Sequence, residues 1–248
     1  MKTLKTSVLV ICILCLSFNF VQAQQSYWIH QDNVKPSKIR EYEKIAKEFR
    51  EACKKHQPDT QWVTAVTNDM TYLYITPMEN FAEMDERPFK DMAESMGDDF
   101  GNMFERFDTC YDSHGDYVIT MDESLTYMPE GISQTQEGMN YRKWFFLYFS
   151  PEKEDELREG MKAVKELYTS KDSKGSYRVY RSGFGAMESY YVVVVSAKDE
   201  IDAATKGKKN DETLGEERWD VFMKVMGNIT RMEEKTGEMR PDLAYMPN

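Results

Sequence analysis

Residue types and motifs that usually reveal a protein's chemistry are scarce in this sequence. Cysteine occurs four times and histidine three times in 248 residues. There is no H-x-x-x-H or C-x-x-C motif and no histidine–carboxylate pair at a recognised ligand spacing, so no metal site is predicted. Glycine-rich nucleotide and phosphate loops and the G-x-S-x-G motif are also missing, so no cofactor is predicted.

Basic runs and a second long apolar segment are missing too. The net charge is -11. An acidic chain repels phosphate groups, which argues against binding to nucleic acid or to anionic lipid headgroups. The apolar stretch from Tyr190 to Val195 has the length of a strand rather than of a membrane span, so stable membrane insertion is not expected there.

The first 23 residues have the pattern of a secretory signal peptide. Lys2 and Lys5 precede a mostly apolar stretch from Val8 to Phe20, and Val21-Gln22-Ala23 fits a small-residue cleavage site. We therefore expect cleavage after Ala23 and a secreted or periplasmic protein. An uncleaved anchor is the alternative, although the apolar stretch is short for one. The exported chain would carry a net charge of -13, because residues 1–23 contain two lysines and no acidic residue.

Two cysteines, Cys53 and Cys110, would remain after export. Cys53 lies on the apolar stripe of a predicted helix, which favours a buried free thiol. A Cys53–Cys110 disulfide is the alternative, because an exported protein meets oxidising conditions.

The strongest positive signal is a repeat with an offset of 118 residues. The last six residues, Leu243-Ala244-Tyr245-Met246-Pro247-Asn248, nearly repeat Leu125-Thr126-Tyr127-Met128-Pro129-Glu130. The same offset pairs Ile39 with Leu157, Lys44 with Lys162, Tyr72 with Tyr190 and Phe104 with Phe222. Internal similarity at a fixed period indicates repeated structural units. We predict a first repeat over residues 24–129, a linker over 130–141 and a second repeat over 142–248.

Each repeat is predicted to have the order β-α-β-β-α-β of a ferredoxin-like unit. In the first repeat, Pro36 precedes apolar residues at helical spacing, and a hairpin turns at Asn68-Asp69. A later amphipathic helix is marked by apolar residues between Phe100 and Tyr111, and a final strand is predicted from Leu125 to Met128.

Short structural motifs resemble those of the dimeric α+β barrel superfamily, and most of all antibiotic-biosynthesis-monooxygenase and NIPSNAP-type domains. Val34-Lys35-Pro36 leading into Tyr42-Glu43 is similar to their β1–α1 junction, and the segment from Arg240 to Tyr245 is similar to the last strand of NIPSNAP-like domains. The resemblance implies an α+β fold with two ferredoxin-like repeats packed sheet to sheet. Here one chain would supply both repeats as an intramolecular dimeric α+β barrel, so a monomer is expected.

Period-two alternation along the strands predicts an aromatic wall between the two sheets. Leu73, Ile75 and Ile29 suit the side that faces the helices. That assignment leaves the following residues on the other face: Trp28, His30, Tyr72 and Tyr74. A carboxylate could be bound by Arg178, which lies on the opposite face from Arg181.

Three functions are compatible with these features. The first is an exported protein that binds a small apolar or aromatic ligand between its sheets through Trp28, His30, Tyr72, Tyr74 and Arg178. The second, implied by the resemblance, is a cofactor-independent monooxygenase or isomerase with His30 and Tyr74 as catalytic candidates, or a haem-binding variant of it. The third is a structural or partner-binding protein with a solid barrel. Whether the protein is an enzyme stays open, because fold does not define function.

Overall fold

The computed structural model describes residues 25–247, and the predicted signal peptide lies outside them. The first half contains four strands and three α-helices. Its strands are β1 (Ser26–Val34), β2 (Val63–Thr67), β3 (Thr71–Met78) and β4 (Tyr111–Met121). Its helices are α1 (Ile39–His56), α2 (Lys90–Met96) and α3 (Asp98–Asp108), and short 3-10 turns cover Pro36–Lys38 and Phe81–Asp85.

The second half repeats this order of elements. Its strands are β5 (Tyr141–Tyr148), β6 (Arg178–Ser182), β7 (Tyr190–Ala197) and β8 (Arg231–Met239). Its helices are α4 (Glu154–Ser170), α5 (Glu200–Leu214) and α6 (Arg218–Met226), with a 3-10 turn over Pro151–Lys153. In both halves a proline begins the turn that leads into the first helix, where its fixed φ and missing N–H are tolerated.

The eight strands form one closed antiparallel barrel in the order β1-β3-β2-β8-β5-β7-β6-β4. Each half supplies four neighbouring strands, and the halves meet at two seams, β2–β8 and β4–β6. The halves are therefore joined edge to edge by hydrogen bonds as well as face to face. Closure leaves neither sheet with an unpaired edge, which removes the usual route to edge-to-edge aggregation.

Two boundaries in the predicted first repeat are wrong. The final strand is β4, and the segment from Leu125 to Met128 instead forms turns and a single bridge between Tyr127 and Tyr177. The predicted helix ends at Asp108, and Tyr111 begins β4. The apolar pattern of this segment reflects burial rather than strand pairing, since Leu125 is fully buried in the helix-side core of the second half.

Helices cover the outside of the barrel, and separate apolar cores lie inside it and beneath the helices. The barrel interior contains aliphatic and aromatic side chains from both halves, including Ile29, Ala65 and Val192. Cys53 and Cys110 are buried free thiols beneath the helices of the first half, so the disulfide alternative is not formed. Among the described residues, no helix is long and apolar enough to cross a membrane.

Candidate functional site

The face assignment of the predicted aromatic wall is inverted. Trp28, His30 and Tyr74 lie on the outer face of the first-half sheet, beneath the helices, and line a cavity there. The barrel interior is lined instead by Ile29 together with the alternate residues of β3, Leu73 and Ile75. The prediction assumed that aliphatic residues face the helices. In a closed barrel both faces are covered, and the interior also holds aromatic residues such as Tyr27, Trp144 and Tyr190, so residue type does not tell which face lies inside.

A cavity of about 700 Å³ lies between the outer face of the first-half sheet and parts of α1, α2 and α3. We call it the outer cavity. One end is aromatic and is formed by side chains of α1 and α3 and of the residues just before β2 and α2, namely Phe49, Trp62, Phe89, Phe100, Phe104 and Phe107. These rings contact one another, and Phe49 stacks on Trp62 with centroids 5.9 Å apart. The volume is within the range of small-molecule sites in proteins.

The other end of the outer cavity is polar and is built on β1 and β4. His30 and Asp32 on β1 point to one face because they are two residues apart, and so do His114 and Asp116 on β4. The antiparallel register places His30 opposite Asp116 and Asp32 opposite His114. Two H-x-D motifs thus pair in opposite directions and form a four-residue group, which we call the His–Asp cluster.

Both ring nitrogens of His30 face carboxylates. Nδ1 lies 3.0 Å from Oδ1 of Asp116, and Nε2 lies 3.3 Å from Oδ1 of Asp32. The indole N–H of Trp28 donates to the same oxygen of Asp116 at 2.9 Å. These contacts hold the imidazole in one orientation at the polar end of the outer cavity.

Protonation of His30 is favoured by these neighbours. Burial alone lowers the pKa of His30, but the hydrogen bond to Asp116 and the contact with Asp32 outweigh it and raise the pKa to about 9. In the same pair, the hydrogen bond from His30 lowers the pKa of Asp116. With no metal bound, His30 is therefore a cation at neutral pH and a proton donor rather than a general base.

Two tyrosine hydroxyls extend the polar end beneath α1. Tyr42 is fully buried and donates to Oδ2 of Asp32 at 2.6 Å. Its oxygen lies 2.9 Å from the hydroxyl of Tyr74. Burial raises the pKa of both phenols, so both stay neutral.

Two of the predicted ligand-binding residues lie apart from this group. Tyr72 is buried against Tyr42 with ring centroids 4.7 Å apart, donates to Glu43, and does not line the outer cavity. Arg178 lines the barrel interior, where it donates to the carbonyl oxygens of Ser133 and Gln134 at 2.7 Å. The structure therefore unites Trp28, His30 and Tyr74 and separates them from Tyr72 and Arg178.

The barrel interior holds a second, smaller cavity of about 220 Å³, and its lining is mainly apolar. Arg142 and Arg178 lie at one end, and burial lowers the pKa of both guanidinium groups. Each of these arginines donates to backbone carbonyl groups of the segment before β5. Their donors are therefore already engaged in holding that segment across the end of the barrel.

A difference between the halves explains why the large cavity lies in the first. At the offset of 118 residues, Tyr42 of α1 corresponds to Gly160 of α4. A Cβ atom on Gly160 would lie 3.0 Å from the backbone of Lys224, so the absence of a side chain lets α6 approach α4 closely. In the first half the ring of Tyr42 occupies the corresponding place and its hydroxyl reaches into the polar end.

The His–Asp cluster does not suit a haem ligated by His30. Nδ1 is engaged by Asp116, and Nε2 faces a carboxylate oxygen only 3.3 Å away. A porphyrin plane on either nitrogen would overlap the carboxylate beside it. The haem-binding variant of the enzyme hypothesis is therefore not supported at this residue.

Comparisons with solved structures agree on the architecture. An anthrone oxidase-like protein matches with a TM-score of 0.58 and 10% identity over 89% of this chain and 92% of its own. The fold is that of the dimeric α+β barrel proteins. A proposed monooxygenase from Lactobacillus acidophilus matches this barrel at a TM-score of 0.54 and 9% identity, over 90% of this chain and 96% of its own. A chlorite dismutase mutant from Candidatus Nitrospira defluvii matches it at a TM-score of 0.53 and 10% identity, over 90% of this chain and 93% of its own.

These likenesses establish the barrel fold and no closer relationship. No protein-family model matches the sequence, and no curated protein matches it either. The predicted dimeric α+β barrel is thus confirmed as the coarse fold, whereas the likeness to NIPSNAP-type domains stays a prediction. Identities near 10% carry no residue roles from these proteins to this chain.

Proposed function

We propose that this protein binds a small, planar, hydroxylated aromatic molecule in the outer cavity. The observation that supports the proposal is the division of one cavity of about 700 Å³ into an aromatic end and a polar end. Stacked and edge-on rings complement an aromatic ligand. Carboxylates at the polar end complement a hydroxyl group that donates a hydrogen bond.

Calorimetry with aromatic compounds of graded size tests this proposal. We expect two- and three-ring phenols to bind more tightly than the same hydrocarbons without a hydroxyl group, because only the phenols satisfy the polar end. Ala93→Trp places an indole into the outer cavity from α2 and should weaken binding at least ten-fold. The matched control is Ala204→Trp on the exposed surface of α5. Equal affinity in both variants would contradict the assignment to the outer cavity.

A second candidate function is cofactor-independent oxygenation in the same cavity. Its support is the shared fold with an anthrone oxidase-like protein and a proposed monooxygenase. With an anthrone-type substrate and O₂, a methylene group would lose two hydrogens to one oxygen atom as water, and the other oxygen would form the new carbonyl. His30, charged and lining the cavity, would stabilise the developing substrate anion electrostatically, and Tyr74 would lie beside the substrate in the same cavity.

Oxygen consumption with anthrone-type substrates tests the second candidate. We expect His30→Ala to reduce turnover at least ten-fold and His56→Ala, at the end of α1, to leave it unchanged. If His30→Ala consumed oxygen at the rate of the parent protein, the assignment of His30 would be wrong.

We also propose that the chain is exported and that its halves arose by duplication. The pattern of residues 1–23 supports export, and the common order of elements supports duplication together with the 118-residue offset. Mass spectrometry of protein from a secreting host would detect a mature chain that begins at Gln24. A retained N-terminus would contradict the cleavage.

A further inference from the structure

Three side chains of the His–Asp cluster converge on one point. Ligand-type atoms of His30, Asp32 and His114 all lie within 4.8 Å of one another. The chain has three histidines, and two of them are in this group. The convergence follows from the strand register, because Asp32 on β1 lies directly opposite His114 on β4 and two residues from His30.

Asp32 carries a buried oxygen without a hydrogen bond. The residue is 4% exposed, and Oδ2 accepts from Tyr42. Oδ1 accepts no hydrogen bond from any of the described residues and faces Nε2 of His30 at 3.3 Å. An unsatisfied buried carboxylate oxygen is costly, and buried charges in proteins are normally paired or coordinate a metal. Among the described residues the ring of His30 is what faces this oxygen, so a metal ion shared by the two side chains would take the place of the proton between them.

The separations suit one metal ion. Two ligand atoms that each lie about 2.1 Å from a metal are about 3.3 Å apart when they subtend an angle of about 100°. Nε2 of His30 and Oδ1 of Asp32 have this separation. His114 is exposed on β4 and its ring centroid lies 5.8 Å from that of His30, so its side chain would have to turn toward the other two ligands to complete the set.

Neighbouring groups hold His30 and Asp32 in place. Asp116 lies 3.0 Å from Nδ1 of His30, which leaves Nε2 as the nitrogen that faces Asp32. Tyr42 fixes the other oxygen of Asp32. Metal-binding histidines commonly donate their second N–H to a carboxylate in this way, which orients the ring.

We propose that His30, Asp32 and His114 bind one divalent transition-metal ion at the polar end of the outer cavity. Two imidazoles and one carboxylate favour Zn²⁺, Fe²⁺ or Co²⁺ over Mg²⁺ and Ca²⁺, which prefer oxygen ligands alone. Three protein ligands leave a coordination position open, as in metal sites that bind small molecules. His30 and Asp32 both line the outer cavity, so a small molecule in that cavity would have access to the metal ion. The metal site goes beyond the proposed ligand function and does not depend on it.

Titration of untagged, metal-free protein with Zn²⁺ and with Co²⁺ tests the proposal. Calorimetry should give one equivalent of bound Zn²⁺, and Co²⁺ should produce visible d–d absorption without a thiolate charge-transfer band. His114→Ala should weaken the binding of Zn²⁺ and of Co²⁺ at least ten-fold. Because His114 is exposed, this variant should fold. Asp116→Asn, which removes only the orienting carboxylate, should weaken binding about 10- to 100-fold. His56→Ala is the matched control, since it removes the third histidine.

Distinct outcomes overturn the proposal. A stoichiometry near zero, binding unaltered in His114→Ala, or equal loss in His56→Ala would each contradict it. Mg²⁺ binding as tight as Zn²⁺ would contradict the choice of metal class. Metal binding without aromatic ligand binding would contradict only the proposed function, and the reverse result would contradict only the metal site.

Discussion

Three buried tyrosines differ in the hydrogen-bond partner of their hydroxyl group, so replacing each one by phenylalanine tests the hydrogen bonds of the structure. Tyr42, Tyr127 and Tyr177 are 0%, 7% and 8% exposed. Tyr42 donates to the carboxylate of Asp32 at 2.6 Å, and Tyr127 donates to the neutral carbonyl of Ser173 at 2.9 Å. The hydroxyl of Tyr177 has no hydrogen-bond partner among the described residues. Substitution by phenylalanine removes one oxygen atom and leaves ring packing nearly unchanged.

The magnitudes follow from the partners. A hydrogen bond to a charged group contributes about 1.5–3 kcal/mol, and Tyr42→Phe also leaves Oδ2 of Asp32 without its donor, so the loss should be at the upper end. Tyr127→Phe should lower the free energy of unfolding by about 1 kcal/mol. Tyr177→Phe should leave it unchanged or raise it by about 1 kcal/mol, because burying an unpaired hydroxyl opposes folding.

Urea unfolding of the three variants at pH 7 measures these differences. The comparison is sound if the slope of unfolding free energy against urea stays constant, because the surface exposed on unfolding is then the same. The expected order of destabilisation is Tyr42→Phe, then Tyr127→Phe, then Tyr177→Phe. Equal losses in all three, or the largest loss in Tyr177→Phe, would refute the hydrogen-bond assignments.

Further predictions concern the seam, a helix and the C-terminal segment. A Cβ atom on Gly237 would overlap the carbonyl oxygen of Val66 across the β2–β8 seam, so Gly237→Ala should cost about 3 kcal/mol in a urea titration. Gly207→Ala in α5 meets open space and should stabilise by about 0.5–1 kcal/mol; a loss there would contradict the helix. The hydrogen bond from Arg240 lowers the pKa of Asp242 to about 2 from 3.8. Its contribution is therefore present above pH 4 and lost as the pH falls toward 2; because Asp242 is 45% exposed, Asp242→Asn should cost only about 0.5–1 kcal/mol at pH 6 and nothing below pH 2.

The sequence was sufficient for the order of elements and for the coarse fold. Strand and helix patterns are local, and the 118-residue offset linked them into two similar halves, each with a proline at the start of its first helix. The closing segment from Leu125 to Met128 was misjudged, because apolar residues bury equally well in a strand or in a packed turn. Burial is visible in a pattern, whereas hydrogen-bond partners are not.

Some of the residues predicted to share a face lie together in the structure, but on the other side of the sheet. Alternation correctly grouped Trp28, His30 and Tyr74 on one face, yet it cannot say which face lies inside when both are covered. The partners Asp116 and His114 were missed because they lie on a strand more than 80 residues away. A usable signal was present: two of the three histidines occur in H-x-D, a spacing that puts both side chains on one face of a strand.

A crystal structure of the protein with a bound two-ring phenol tests the central claim most directly. We predict the ligand in the outer cavity, with its ring against the aromatic side chains of Phe49, Phe89 and Phe104 and its hydroxyl toward His30 and Asp32. Ligand density inside the barrel beside Ile29 and Val192, with the outer cavity filled by side chains, would contradict the claim.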